Sequence, residues 1–340
     1  MAKVGIIGAS GYTGAELLRL LAGHSDLDVA YATADAHRGT AAADLYPGLA
    51  ADYGDLVYEA HDAERAAGLD LVFLALPHGA SQAVVGDLVG RVGHVVDLAA
   101  DFRLRDAGLY PQWYGEAHTA PELLARFAYG LPELDRDPLR GAELIAAPGC
   151  YPTAATLALA PLVRAGLVEP TGIIVDAASG VSGAGRGKFP FGGTDGDFTA
   201  YGLLDHRHTP EIEQNLGAGA SVLFTPHLAP MTRGILATCY ARPAAAAGAL
   251  SSEGVLACLA DAYAEERFVV VGERSPSTKA TLGANTAHLT ARYDDRTGTV
   301  LAICALDNLV KGAAGGALQC ANLALGLDEA AGLPTVAVTP

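Results

Sequence analysis

The stretch Lys3 to Ala22, KVGIIGASGYTGAELLRLLA, decides the reading of the fold. Lys3 to Ile7 has the short apolar run of a buried strand, and Ala15 to Ala22 carries leucines at 17, 18, 20 and 21 with helical spacing. Between them glycines stand at 8, 11 and 14, so the order is strand, glycine loop, helix. Gly8 and Gly11 permit a tight turn that brings backbone N–H groups up to a pyrophosphate at the positive end of a helix. Ser10 and Thr13 add hydroxyl donors. The spacing is G-x-x-G-x-x-G rather than the commoner G-x-G-x-x-G, so it is the strand-loop-helix context that supports a dinucleotide site over a plain turn. At the end of the next strand stand Thr33, Asp35 and Arg38. Arg38 suits a 2′-phosphate and Asp35 opposes one; the balance favours NADP over NAD.

Outward from this stretch the pattern repeats. Asp28 to Thr33, Leu71 to Leu76, His94 to Leu98 and Leu144 to Ala147 read as further strands, with helical sequence between some of them. That alternation predicts an α/β Rossmann-type, doubly wound parallel sheet over residues 1–148. From about residue 172 the sequence becomes strand-rich: Gly172 to Ala177, Ser221 to Thr225, Ile235 to Ala241, and two strands about the turn at Asp294 to Gly298. Residues 149–309 are therefore expected to form an α+β domain with a largely antiparallel mixed sheet, carrying catalysis, substrate and oligomer contacts. The glycine- and alanine-rich tail, 310–340, reads as a closely packed helix.

A chain of 340 residues suits two domains, and 51% hydrophobic residues give ample core. The formal charge of -16 disfavours nucleic acid and anionic membrane as partners. No run of eighteen apolar residues occurs, and the sequence enters a strand pattern without a signal-peptide signature. Cysteines at 150, 239, 258, 304 and 320 form no C-x-x-C pair and leave an odd one over, which fits a reducing compartment. The expected location is the cytoplasm.

Ala147 to Thr153, APGCYPT, is the most informative stretch for chemistry. Pro152 suits the first turn of a helix running to about Val163, which places Cys150 at its cap. There the unpaired N–H groups and the helix dipole stabilise thiolate. Beside a nicotinamide site such a thiolate can take an acyl group as a thioester, receive hydride and release an aldehyde. Collapse of the intermediate needs a proton acceptor, and His206 and His208, in DHRHTPEI (205–212), supply two imidazoles ahead of Pro210. One of the two should face Cys150. A metal on that H-x-H pair lacks a third ligand, so none is expected. A second glycine-rich loop, SGVSGAGR (179–186), follows a strand without a helix behind it and fits the nicotinamide side. Arg103, after the fourth strand, suits an anionic leaving group, with a surface ion pair as the plain reading.

At these residues the chain resembles the N-acetyl-gamma-glutamyl-phosphate reductase family, which is related to aspartate-semialdehyde dehydrogenase. The match runs nearly end to end through GASGYTGAELLRLL (8–21), FLALPHG (73–79), DFRL (101–104), YGLPEL (129–134), APGCYPTA (147–154), SGVSGAGR (179–186), HRHTPEI (206–212), RGILAT (233–238) and DNLVKGAAGGALQ (307–319). The resemblance implies Cys150 as nucleophile and His208, ahead of His206, as acid-base. It assigns Gly8, Ser10, Gly11, Tyr12, Thr13, Ser179, Gly180 and Asn308 to NADP, and Arg103 to the acyl phosphate; His206 is the further candidate for substrate. It also implies NADPH-dependent reduction of N-acetyl-glutamyl 5-phosphate with release of phosphate, a tail packing on the first domain, and a homo-dimer or homo-tetramer. Ala99 departs from the serine common in the family, which by the resemblance weakens one polar contact near the phosphate without touching the mechanism. Rival readings are the same chemistry on aminoadipyl or aspartyl phosphate, a cysteine hydrolase or acyltransferase, which leaves the glycine loop unexplained, and a silent NADP-binding regulator.

Overall fold

In a computed structural model, which describes residues 1–186, 195–217 and 219–338, the chain divides into two compact units. The first is Met1–Pro148 with Ala313–Leu333; the second is Gly149–Gly312 with the chain from Pro334 on.

The first unit is built on β1 (Ala2–Ile7), β2 (Leu27–Thr33), β3 (Leu71–Leu74), β4 (His94–Asp97), β5 (Ala128–Tyr129) and β6 (Leu144–Ala146), in the order β2-β1-β3-β4-β6-β5. Every neighbouring pair is parallel. A sheet of this kind is covered on both faces, which is why all four residues of β3 are apolar and buried rather than alternating. The Tyr12–Ala22 helix turns Leu17, Leu18, Leu20 and Leu21 inward, each such burial stabilising by about 1.5–3 kcal/mol. It begins three residues before the leucine spacing suggests, with Gly11 as its N-cap. Because β1 pairs with β2 on one side and β3 on the other, the strand order reverses there, and ligands of such sheets bind beyond the carboxyl ends at that point.

The second unit opens with the Cys150–Arg164 helix and continues through β7 (Ile173–Gly180), β8 (Thr199–Ala200), β9 (Val222–Ala229), β10 (Ile235–Ala241), β11 (Val269–Val271), β12 (Ala287–Asp294) and β13 (Thr299–Leu306). The sheet order is β11-β12-β13-β10-β7-β9-β8, with β11/β12 and β7/β9 parallel and the other pairs antiparallel. This is the mixed sheet expected. The Cys150–Arg164 and Ser252–Ala262 helices pack on one face, where Ile173, Val175 and Ala177 are buried. The opposite face carries a cross-strand row, Leu223, Ile174, Tyr240 and Leu301, of which the first three are 48%, 39% and 37% exposed.

The tail departs from one long helix. Val310–Ala314 forms a π-helical turn and the α-helix covers Gly315–Ala324. Gly326 and Gly332, both at φ 69°, and then Pro334 keep the remainder from continuing it.

Candidate active site

In the first unit the glycine loop lies at the carboxyl end of β1. Gly8 has φ 90°, and a Cβ there would fall 2.5 Å from the Ala75 carbonyl oxygen. A Cβ on Gly14 would fall 2.5 Å from Ala9 Cα, so this glycine lets helix and loop touch. Gly11 differs: its Cβ would meet nothing nearer than Gly8 O at 3.8 Å, and no side chain caps the helix that it starts. The chain's own packing does not require a glycine here; a phosphate brought close to the helix start would. Thr33, at the end of β2, accepts from Gly8 N through Oγ1 at 3.3 Å and from Ala9 N through its carbonyl at 2.7 Å. Ser10, Tyr12 and Thr13 are half-buried, and Arg38 is exposed in the turn after β2. These residues form a cradle that fits a dinucleotide pyrophosphate.

Beyond β3 and β4 lies a buried polar cluster. Asp101, with no exposed surface, accepts from the backbone N–H groups of Gly79 (2.8 Å), Ser81 (3.0 Å) and Gln82 (3.3 Å), the amino end of the Ser81–Leu88 helix. His78 Nδ1 lies 2.6 Å from Asp101 Oδ1, off the line of a hydrogen bond. Although burial opposes ionisation, these partners together hold the Asp101 carboxyl below its usual range. Asp97 is treated oppositely: burial pushes it up to about 7, against hydrogen bonds from Ser81 Oγ and Ala99 N. Arg103 is buried rather than on the surface. Its Nε donates to Ala147 O and its Nη2 to Leu98 O, both at 2.8 Å, which braces the loop after β4.

In the second unit Cys150 is the first residue of its helix, half-buried, with Gly149 as N-cap. The sequence folds this way because Gly149 accepts from Thr153 N and Thr153 Oγ1, both at 2.9 Å, while Pro152 needs no N–H in the first turn. The Gly149 N–H donates to Glu211 Oε1 at 2.8 Å. Glu211 is fully buried on the Thr209–Leu216 helix, whose N-cap is His208, so one hydrogen bond joins the start of the cysteine helix to the start of the histidine helix. The Tyr151 ring stands edge-on to His206 and His208, centroids 5.9 Å away in each case, and 5.3 Å from Phe224. Its hydroxyl donates to His227 O at 3.1 Å and accepts from Tyr201 Oη at 3.3 Å. Burial first, and the nearby Cys150 among lesser causes, pushes Tyr201 up to about 12 and Tyr151 higher still, so both phenols stay protonated. A Cβ on Gly312 would lie 2.8 Å from Cys150 Cβ, so bare backbone is packed against the cysteine.

Asn308 is tied into the fold beside the second glycine loop. Its Oδ1 accepts from Gly234 N at 2.7 Å and its Nδ2 donates to Ser182 Oγ at 3.0 Å. Ser179 is buried with its hydroxyl on Gly180 O at 3.0 Å, and the space at Gly180 is filled by the Thr232–Arg233 backbone 2.7 Å from where a Cβ would be. A short 3-10 turn, Val181–Ala184, follows. Cys239 and Cys304 are fully buried with thiols pushed upward by burial, Cys258 is raised by the same cause, and Cys320 Sγ donates to Gly130 O.

The structure thus gathers Cys150, His206 and His208 about Tyr151, and Ser179, Gly180 and Asn308 about a second loop. Gly8 to Thr13, Arg38 and Arg103 belong to the first unit. Sequence reasoning passed over Glu211, Tyr151, Tyr201 and Gly312. Glu211 had a signal in HRHTPEI, as a carboxylate one helical turn past His208.

A family model described as semialdehyde dehydrogenase, NAD binding domain, matches residues 3–142, and one described as semialdehyde dehydrogenase, dimerisation domain, matches 150–308. A protein of Desulforudis audaxviator named N-acetyl-gamma-glutamyl-phosphate reductase is 49% identical over 98% of both chains. One of the same name from Pseudomonas aeruginosa is 45% identical over 100% of both. Among solved structures, aspartate semialdehyde dehydrogenase II from Vibrio cholerae has a TM-score of 0.71 at 16% identity, covering 96% of this chain and 99% of that one. The Candida albicans aspartate semialdehyde dehydrogenase with NADP has a TM-score of 0.69 at 16% identity, covering 95% and 98%. Identity that low speaks for the fold alone.

Proposed function

The chain belongs to the N-acetyl-gamma-glutamyl-phosphate reductase family, and from that premise we propose that it reduces N-acetyl-L-glutamyl 5-phosphate to N-acetyl-L-glutamate 5-semialdehyde with NADPH, releasing phosphate, as a step of arginine biosynthesis. The observation that carries the reading is the seating of Cys150 at a helix start without a side-chain cap, tied through Gly149 and Glu211 to the helix that begins after His208. Helix N–H groups stabilise the thiolate of Cys150, which attacks the acyl carbon. The acyl C–O bond to phosphate breaks, the electron pair leaves with phosphate, and a thioester remains. NADPH, when bound, would supply hydride to the thioester carbon, and His208 would give the resulting oxyanion the proton that makes it a thiohemiacetal. His208 then holds and moves the proton as the C–S bond breaks, so that thiolate and aldehyde separate.

Gly8, Ser10, Gly11, Tyr12 and Thr13 would hold the pyrophosphate and Arg38 the 2′-phosphate, with Ser179, Gly180 and Asn308 assigned to the nicotinamide end. Arg103 and His206 are assigned to the substrate; the backbone bonds of Arg103 favour a bracing part in that role. The test is phosphate-dependent NADP reduction, comparing N-acetyl-glutamate semialdehyde with aspartate semialdehyde. The acetylated substrate should be clearly preferred. Preference for aspartate semialdehyde overturns the substrate, and turnover without phosphate or NADP would favour a cysteine hydrolase.

Two further assignments belong to this reading. The bare row Leu223, Ile174, Tyr240 and Leu301, in a region matched by a dimerisation-domain model, is proposed to be covered by a second copy in a homo-dimer or homo-tetramer. Tyr240→Lys should lower the mass measured by light scattering; an unchanged mass places the contact elsewhere. Among the described residues no helix is long and apolar enough to cross a membrane, and the proposed location is the cytoplasm.

A further inference from the structure

His206 lies two residues before His208, and geometry decides which of its nitrogens carries the ring proton. The backbone N–H of His208 is directed at His206 Nδ1 at 3.2 Å. A peptide N–H only donates, so Nδ1 must present its lone pair and the proton of the neutral ring sits on Nε2. The ring has little freedom to exchange these roles. His208, Phe224, Tyr201 and Tyr151 surround it with centroids at 4.8, 5.2, 5.5 and 5.9 Å. Gly202 presses from a further side, since a Cβ there would lie 3.0 Å from His206 Cδ2.

The ring is also kept neutral. Burial, and then the charge of Arg207, depress its pKa to about 4. The facing titratable groups are His208 and the phenols of Tyr151 and Tyr201, both protonated, and Phe224 is apolar. None of these opposes the depression. Among the described residues nothing accepts from Nε2, and Nε2 is not among the buried side-chain atoms sealed from solvent. A donor with fixed direction is therefore left facing a place that a ligand can reach.

We propose that His206 is a standing hydrogen-bond donor, through Nε2–H, to an oxyanion of the substrate, and that proton transfer belongs to His208 alone. This rests on the reading of the chain as an acyl-phosphate reductase, whose substrate brings two such groups, the carboxylate and the phosphoryl oxygens. His206 does not exchange protons during turnover; it orients and binds. A charged histidine there would repel Arg207, and an Nδ1–H ring would clash with the His208 N–H.

The test joins kinetics to spectroscopy on the full-length enzyme. In the oxidative direction, His206→Asn and His206→Ala should raise one Michaelis constant at least about 10-fold, as expected for a lost hydrogen bond to a charged group, with kcat changed only a few-fold. His206→Gln, whose amide nitrogen reaches the place of Nε2, should recover most of that loss. A rise in KM for inorganic phosphate identifies the phosphoryl group as the acceptor; a rise in KM for the semialdehyde identifies the carboxylate. Nitrogen NMR of imidazole-labelled protein should show the Nε2–H tautomer of His206 unchanged from pH 5 to 8. An Nδ1–H tautomer, titration in that range, or a kcat loss with both Michaelis constants unchanged overturns the proposal. Wild-type protein inert with phosphate and semialdehyde would instead sink the functional reading, and the tautomer measurement would still judge His206.

Discussion

The two glycine-bearing loops look alike as strings and serve different ends. At Gly11 the vacant Cβ position meets nothing nearer than 3.8 Å and the loop leads into an eleven-residue helix. At Gly180 the same vacancy is filled by the Thr232–Arg233 backbone, and a 3-10 turn follows. One vacancy stays unfilled by the chain; the other is taken up by the protein's own backbone. The lesson extends to the units that hold them. The first carries its glycine loop at a helix start, whereas the second sets Cys150 and His208 at helix starts, with His206 two residues ahead.

The contrast can be broken by substitutions that should separate binding from chemistry. The largest effect is expected for Cys150→Ala, which should lower turnover by at least about 10⁴-fold while NADPH still binds, as measured by fluorescence titration. Loss of NADPH binding in that variant would mean that the two functions are not separable. His208→Ala should cost at least about 100-fold in kcat, with His206→Ala costing less; equal or reversed losses would undo the division of labour between them. Gly11→Val should weaken NADPH binding by about 10-fold or more, the scale of one lost charged hydrogen bond, yet leave the alkylation rate of Cys150 and the melting temperature near wild type. An unchanged dissociation constant would remove Gly11 from the cofactor site.

The smallest effect concerns pH. Folding raises the Asp97 carboxyl from about 4 in an unfolded chain to about 7, so the native state binds the proton more tightly. Stability from this group is present below about pH 4, is lost as pH rises toward 7, and is level above. Asp97→Asn should therefore gain in melting temperature relative to wild type between pH 5 and pH 8. A constant difference across that range would show that Asp97 does not titrate there.

Much of the fold was legible where periodicity is strong. Lys3 to Ala22 announced its strand, loop and helix, and Pro152 placed the start of the cysteine helix. Strands of two residues, Ala128–Tyr129 and Thr199–Ala200, carry no period to detect. The site was legible as residue types but not as contacts. Glu211 reaches Gly149 across 62 residues, a link set by packing of two helices and by no local pattern. In DFRL the guanidinium of Arg103 drew attention as a phosphate ligand, yet the carboxylate two residues earlier gathers a helix start, and Arg103 itself braces carbonyls.

That carboxylate has a consequence for where an anion can settle. At the carboxyl edge of the parallel sheet the Tyr12–Ala22 and Ser81–Leu88 helices both start, and each start is an invitation to negative charge. Asp101 has accepted the second invitation on the protein's behalf. On the proposed reading, a phosphate arriving at this edge would find one berth instead of two, so a group that the sheet could have admitted in two registers would be directed to a single one.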